Sequence, residues 1–122
     1  MTIAYWCVVL AMFLPLIWVG IAKANGRGYD NAKPREWLAK LEGRAQRANW
    51  AQQNSYEAFP PFAAAVIIAH LVGNDQTMVD ALAVFFIICR IAHGILYIND
   101  YSTLRSFAWL GGFGATVALF LV

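Results

Sequence analysis

Charged residues are scarce in this chain. Asp, Glu, Lys and Arg make up 13% of it, against about a quarter in a soluble domain. With 61% of its residues hydrophobic, it reads as an integral membrane protein, because so little charge cannot cover an ordinary solvated surface. Cysteine is scarce too. Cys7 and Cys89 both lie in apolar segments, at no metal-ligand spacing and in no disulfide framework. They read as small buried hydrophobes. No phosphate-cradling glycine loop, Ser/His/Asp triad or nucleic-acid-binding pattern is present. His93 has no second histidine or carboxylate at ligand spacing, and His70 lies on another segment, which excludes a metal site. No internal repeat or ring of like charges supports a transporter or channel.

The 122 residues make one domain, 1–122, and the expected fold is all-α: an integral membrane four-helix bundle. Spans are expected at about 2–22, 50–72, 78–97 and 104–122. The first run carries its positive charge after it, at Lys23 and Arg27, and lacks a basic leader and a small-x-small site, so it reads as a retained span rather than a signal peptide. Pro15 is a candidate kink in it. Asn25-Gly26-Arg27-Gly28 breaks the helix, and Asp30-Asn31 are cap candidates for a helix opening at Pro34. From Pro34 to Leu71 one helix would run about 57 Å, longer than a hydrocarbon core of about 30 Å. Either part of it stands outside the membrane or the chain bends near Gly43. Pro60-Pro61 adds a kink. Gly73-Asn74-Asp75-Gln76 is a turn leading into the third span. Gly111, Gly112 and Gly114 allow close helix approach.

Seven of the nine Lys and Arg residues fall between the first two spans: Lys23, Arg27, Lys33, Arg35, Lys40, Arg44 and Arg47. The loop between spans two and three has none. By the positive-inside rule, the basic loop 23–47 is cytoplasmic and both termini lie on the other side, with a bacterial inner membrane as the expected location. Contact with anionic lipid suits the same loop.

Ionisable groups inside such spans are costly and mark a functional site by default. Arg90, His93 and Tyr97 fall at i, i+3 and i+7; Arg47, Trp50, Asn54 and Glu57 repeat the pattern on the second span. The two stripes are expected to face each other. Glu57 and Arg90 are expected to pair, since a lone carboxylate in hydrocarbon would take a proton and a guanidinium cannot lose one. That pair either pins two spans together or leaves Glu57 to receive a ligand ammonium group. His93 is a core histidine or a pocket-lining one. Tyr97 belongs to the site or, like Trp6, Trp18 and Trp109, to an interfacial aromatic belt. Arg105 either snorkels to the interface or favours a thiolate, with the Ser106 hydroxyl beside it. Arg44 and Arg47 suit ligand carboxylates.

The segment Asn54-Ser55-Tyr56-Glu57-Ala58-Phe59-Pro60 resembles the N-x-x-E-x-F-P signature of the MAPEG superfamily, the membrane-associated proteins in eicosanoid and glutathione metabolism. Arg90-Ile-Ala-His93-Gly-Ile-Leu-Tyr97 resembles its R-x-x-[HY]-x-x-x-Y motif, in the His form of the microsomal prostaglandin E synthases. Arg105-Ser106 is similar to the Arg-Ser pair of those enzymes. The resemblance implies a homotrimer with glutathione held between neighbouring subunits. Asn54 and Glu57 would hold its amino end, and Arg47, Arg90, His93 and Tyr97 its carboxylates and peptide. Arg105 would activate the thiol, assisted by Ser106. A lipophilic co-substrate would enter from lipid along the fourth span of the adjacent subunit. Trp50 stands where many members carry an arginine, and the spacing from Tyr97 to Arg105 also differs from that of the synthases. The implied activity is a glutathione-dependent transferase or peroxidase acting on lipophilic electrophiles or lipid hydroperoxides. The competing reading is a non-catalytic member that binds lipid or joins a larger membrane complex.

Overall fold

The computed structural model describes residues 1–122 and contains five α-helices and no strand. They are α1 (Ile3–Asn25), α2 (Pro34–Ala39), α3 (Gly43–Leu71), α4 (Gln76–Ile98) and α5 (Ser102–Leu119). α1 and α4 are long and apolar enough to cross a membrane.

Local chemistry sets the ends. Thr2 caps α1 by accepting the Tyr5 N–H at 3.1 Å. A second free N–H of that first turn, on Ala4, donates at 2.9 Å to Asp80 of α4, which also accepts from Gln76 at 2.8 Å. α1 ends at Gly26, where the chain turns extended, as the Asn-Gly-Arg-Gly run implies. Of the two arrangements open for residues 34–71, the structure takes the bend. α2 stops at Ala39, and Gly43 opens α3 at φ +61°, a conformation that favours glycine. The basic segment is therefore partly helical rather than a loop.

Two expectations need correction. α2 starts without a side-chain cap, its N-cap being Lys33. Asp30 instead accepts the Ala32 N–H at 2.9 Å, closing a turn three residues before the N-cap position, too early to cap the helix. The kink candidates Pro15 in α1 and Pro60 and Pro61 in α3 lie inside continuous helix. Those prolines bring no N–H, so the Tyr56 and Glu57 carbonyls lose their i+4 donors without ending the helix. Trp18 is not a belt residue: it is buried, its ring packed on Gly94 of α4.

The core falls into two apolar clusters. One gathers Ala4, Cys7 and Ala11 of α1, Phe62 to Ala69 of α3, Val79 to Ile87 of α4, and Ala115 and Leu119 of α5. At its heart Phe62 and Phe86 stack 3.8 Å apart and nearly parallel. The other gathers Leu14, Trp18 and Ala22 with Leu41, Ala45, Ala48, Ala51 and Ile98. Between them the helices contribute polar groups instead: Ser55 on α3, and Arg90 and His93 on α4, all buried. This belt is where the two stripes of the sequence meet.

Candidate functional site

Arg90 is 3% exposed and His93 2%. The Arg90 Nη2 donates to Asn54 Oδ1 at 2.6 Å, tying α4 to α3. The expected Glu57–Arg90 ion pair is absent: the chain's one ion pair within 4.0 Å is Lys33–Glu36. A neutral amide oxygen nearly a turn earlier on α3 accepts the guanidinium N–H, and Glu57 stays exposed and unpaired. Gly112 lets α5 close over Arg90; a Cβ there would stand 3.5 Å from Arg90 Cδ. Gly111 likewise faces Cys89, whereas a Cβ on Gly114 would meet nothing within 4 Å.

Tyr97 is the hub. The His93 ring meets it edge-on at 5.6 Å, and the Arg105 guanidinium lies over it at 4.2 Å. Trp50 flanks it at 6.3 Å. Arg105 reaches over from the first turn of α5, just after the Asp100 turn at φ +66°. No carboxylate pairs with Arg105, so its N–H groups are free for an incoming anion. Ser106 lies beside it, but its hydroxyl donates to the Ser102 carbonyl at 3.1 Å and must rotate before it can donate elsewhere.

Three adjoining hollows result, with Asn54 on all of them. The first, about 430 Å³, is lined by Asn54, His93, Tyr97, Arg105, Ser106, Trp109 and Leu110. The second, about 180 Å³, is lined by Asn54, Glu57 and Arg90 together with Ala58, Pro61, Phe86, Trp109, Phe113 and Thr116. The third, about 300 Å³, is lined by Trp50, Gln53, Asn54, Glu57 and Tyr97. Asn54, Glu57, Arg90, His93, Tyr97, Arg105 and Ser106 thus come together. Arg47 does not join them. Its Nε donates to the Ile98 carbonyl at 2.9 Å, and Arg44 donates to Asn99 at 2.9 Å. Arg47 thereby satisfies a free carbonyl at the C-terminal end of α4, where such groups attract cations, and Arg44 bonds the side-chain amide oxygen of the C-cap residue Asn99.

The model of the MAPEG family matches residues 3–122, essentially the whole chain. The chain belongs to the MAPEG family. No curated protein and no solved structure matches it. This MAPEG protein is accordingly a membrane protein, in keeping with its two long apolar helices.

Trp109, Phe113 and Thr116 line the site although the sequence did not point to them there, and Trp109 is no simple belt residue. A signal was present. Trp109 and Phe113 follow Arg105 at i+4 and i+8, on the same face of α5. Their rings stack 5.2 Å apart, nearly parallel, and Trp109 borders both the first and the second hollow.

Proposed function

We propose that this MAPEG protein is a membrane-bound, glutathione-dependent transferase acting on lipophilic electrophiles, with lipid hydroperoxides as the peroxidase variant of the same chemistry. The observation that carries the reading is Arg105. Its guanidinium stands in an open hollow beside Ser106, His93 and Tyr97 with no acidic partner. A fixed cation without a counterion stabilises an anion brought to it, and a thiol next to it loses its proton more readily.

The residues fit glutathione group by group. Unpaired Glu57 suits the ammonium, Arg105 suits the thiolate, and the amide of Asn54 borders every hollow. Arg90, already tied to Asn54, positions that amide and retains donors for a carboxylate. The chemistry balances simply. The thiol proton leaves to solvent, the thiolate attacks the electrophilic carbon, a carbon–sulfur bond forms, and the leaving group departs with the electron pair. With a hydroperoxide, the thiolate attacks the peroxide oxygen and releases an alcohol after protonation. A second glutathione then turns the resulting sulfenic acid into disulfide and water. The lipophilic partner lies along Trp109, Phe113, Phe86 and Pro61, the apolar side of the second hollow.

Four spans, α1, α3, α4 and α5, cross the bilayer in this reading. Arg44, Arg47 and the other cations of 23–47 stay in the cytoplasm, and three copies assemble around the sites. A tag after Val122 is then expected to be labelled by a membrane-impermeant reagent from the non-cytoplasmic side of intact cells. Labelling only after the membrane is opened would reverse the orientation.

Calorimetric titration of glutathione into the detergent-solubilised protein tests the site. Saturable binding is expected, weakened about tenfold or more in Glu57→Gln, the loss of one charge-assisted contact. A well-folded oligomer that takes up no glutathione would remove the thiol reading and favour the non-catalytic lipid-binding or complex-forming member.

A further inference from the structure

Three polar atoms in the interior have no partner within the protein: the indole Nε1 of Trp18 on α1, the hydroxyl of Ser55 on α3 and the ring Nδ1 of His93 on α4. All three residues are buried. The contacts of their helices put them on one level. α1 and α4 run side by side at a constant offset of 76 residues, from the Ala4–Asp80 hydrogen bond to the seat of Trp18 on Gly94. Gly94 adjoins His93, and among the Trp18 atoms nearest to it is Cε2, the carbon bonded to Nε1. α3 runs the other way, and Asn54, next to Ser55, bonds Arg90, about one turn before His93. Helical side chains lean toward the N-terminus of their own helix. Trp18 and His93 therefore lean toward the Asn54–Arg90 level, and Ser55, on the antiparallel helix, leans toward theirs. One more acceptor belongs to this level. Pro15 brings no N–H for the Ala11 carbonyl, which points along α1 toward Trp18.

Buried polar groups without a protein partner are as a rule met by ordered water, which both donates and accepts. We infer that Trp18, Ser55 and His93 hold an internal water molecule between α1, α3 and α4, and that this water keeps the His93 proton on Nε2. Trp18 sets the direction. An indole N–H only donates, so the water accepts from it and gives its own hydrogens to His93 Nδ1 and the Ser55 oxygen. The Ser55 proton then turns to the Ala11 carbonyl. A neutral imidazole whose Nδ1 accepts carries its proton on Nε2. With Nδ1 sealed off, Nε2 is the nitrogen left to the first hollow, which His93 and Arg105 both line. The ring thus offers an N–H, beside a guanidinium, to an incoming anion. That consequence rests on the thiol reading, since two donors hold a thiolate better than Arg105 alone. Trp18 and Ser55 are positioning residues, acting only through the water and His93.

Nitrogen-15 spectra of the whole, ligand-free solubilised protein separate a protonated from a bare ring nitrogen. The chain has two histidines, and His70→Gln leaves the signals of His93 alone. A protonated Nε2 and a bare Nδ1 are expected. Trp18→Phe keeps a ring against Gly94 but removes the N–H, and should shift the tautomer ratio toward Nδ1–H at least fivefold. Magnetisation passed from water to the Trp18 indole proton reports the water itself. It should fall at least twofold in Ser55→Ala and return in Ser55→Thr, which keeps the hydroxyl. A proton on Nδ1 in the wild type, an unchanged tautomer in Trp18→Phe, or no transfer to the indole proton would overturn the water site. Glutathione titrated into the same samples should bind about threefold or more weakly to Trp18→Phe, the scale of one hydrogen bond. Equal binding would take His93 out of the anion site. No uptake by the wild type, with the tautomer as expected, would sink the thiol reading and leave the water site standing. Uptake with Nδ1 protonated would do the reverse.

Discussion

Arg105→Ala is expected to lower kcat/KM for the proposed transfer of glutathione to a lipophilic electrophile by about 10²–10³-fold, the scale for removing one preorganised group that stabilises developing charge. The folded protein should survive the change. Arg105 pairs with no acid, so its removal orphans no buried charge. Its contact is with the face of Tyr97, at 4.2 Å. That contact also separates charge from geometry. Arg105→Lys keeps a positive charge but loses the planar group that lies flat on a ring, so it should fall between the wild type and the alanine variant. The thiolate is followed directly by its ultraviolet absorbance on mixing protein with glutathione, and the signal should vanish in Arg105→Ala. Undiminished turnover in that variant would take Arg105 out of the chemistry. Undiminished turnover in Arg105→Lys would show that charge suffices and that the stack on Tyr97 is incidental.

The same hub explains why part of the site is legible in the sequence. Polar residues inside apolar runs are few, and their i, i+3, i+7 spacing on two helices is enough to identify the facing stripes. Asn54 and Arg90 do meet, at 2.6 Å. What the spacing cannot supply is the partner within the stripe. Formal charge favours Glu57 for Arg90, but residues 54 and 57 stand nearly a turn apart along α3, and the nearer oxygen is the neutral one. Arg47 fails to join for a related reason. It continues the same stripe toward the start of α3, yet α4 ends beside it, and the free Ile98 carbonyl accepts its N–H. A helix end is a local backbone demand that side-chain periodicity does not reveal. Element identity is easier. The Asn-Gly-Arg-Gly break and the turn at Gly73 are local chemistry and appear as expected, and the structure takes the Gly43 bend from the two arrangements left open. The fold also requires one long-range contact that no local pattern announces, the seating of Trp18 on Gly94.

That contact makes Gly94 the position where a small change should do most harm. A Cβ built on Gly94 would overlap the Trp18 ring at Cζ2 and Cε2 and stand 2.6 Å from its Cη2. The clash is with a ring, which cannot bend away as a flexible chain end can, and Trp18 is 4% exposed. α1 and α4 would have to separate, opening the second apolar cluster at its widest side chain. Overpacking of this kind costs about 1–3 kcal/mol and sometimes more, so Gly94→Ala should lower the melting temperature of the solubilised protein clearly and Gly94→Leu should leave no folded protein. His93 precedes Gly94 and lines the first hollow, so activity in Gly94→Ala should fall further than the loss of folded protein explains. Two comparisons guard the interpretation. Gly114→Ala, where the added carbon meets nothing within 4 Å, should melt close to the wild type. Trp18→Leu combined with Gly94→Ala should recover part of the lost stability, because shortening one partner makes room for the other and the two changes are then coupled. Wild-type melting in Gly94→Ala, or strictly additive losses in the double variant, would mean that α1 and α4 do not close on each other at this point.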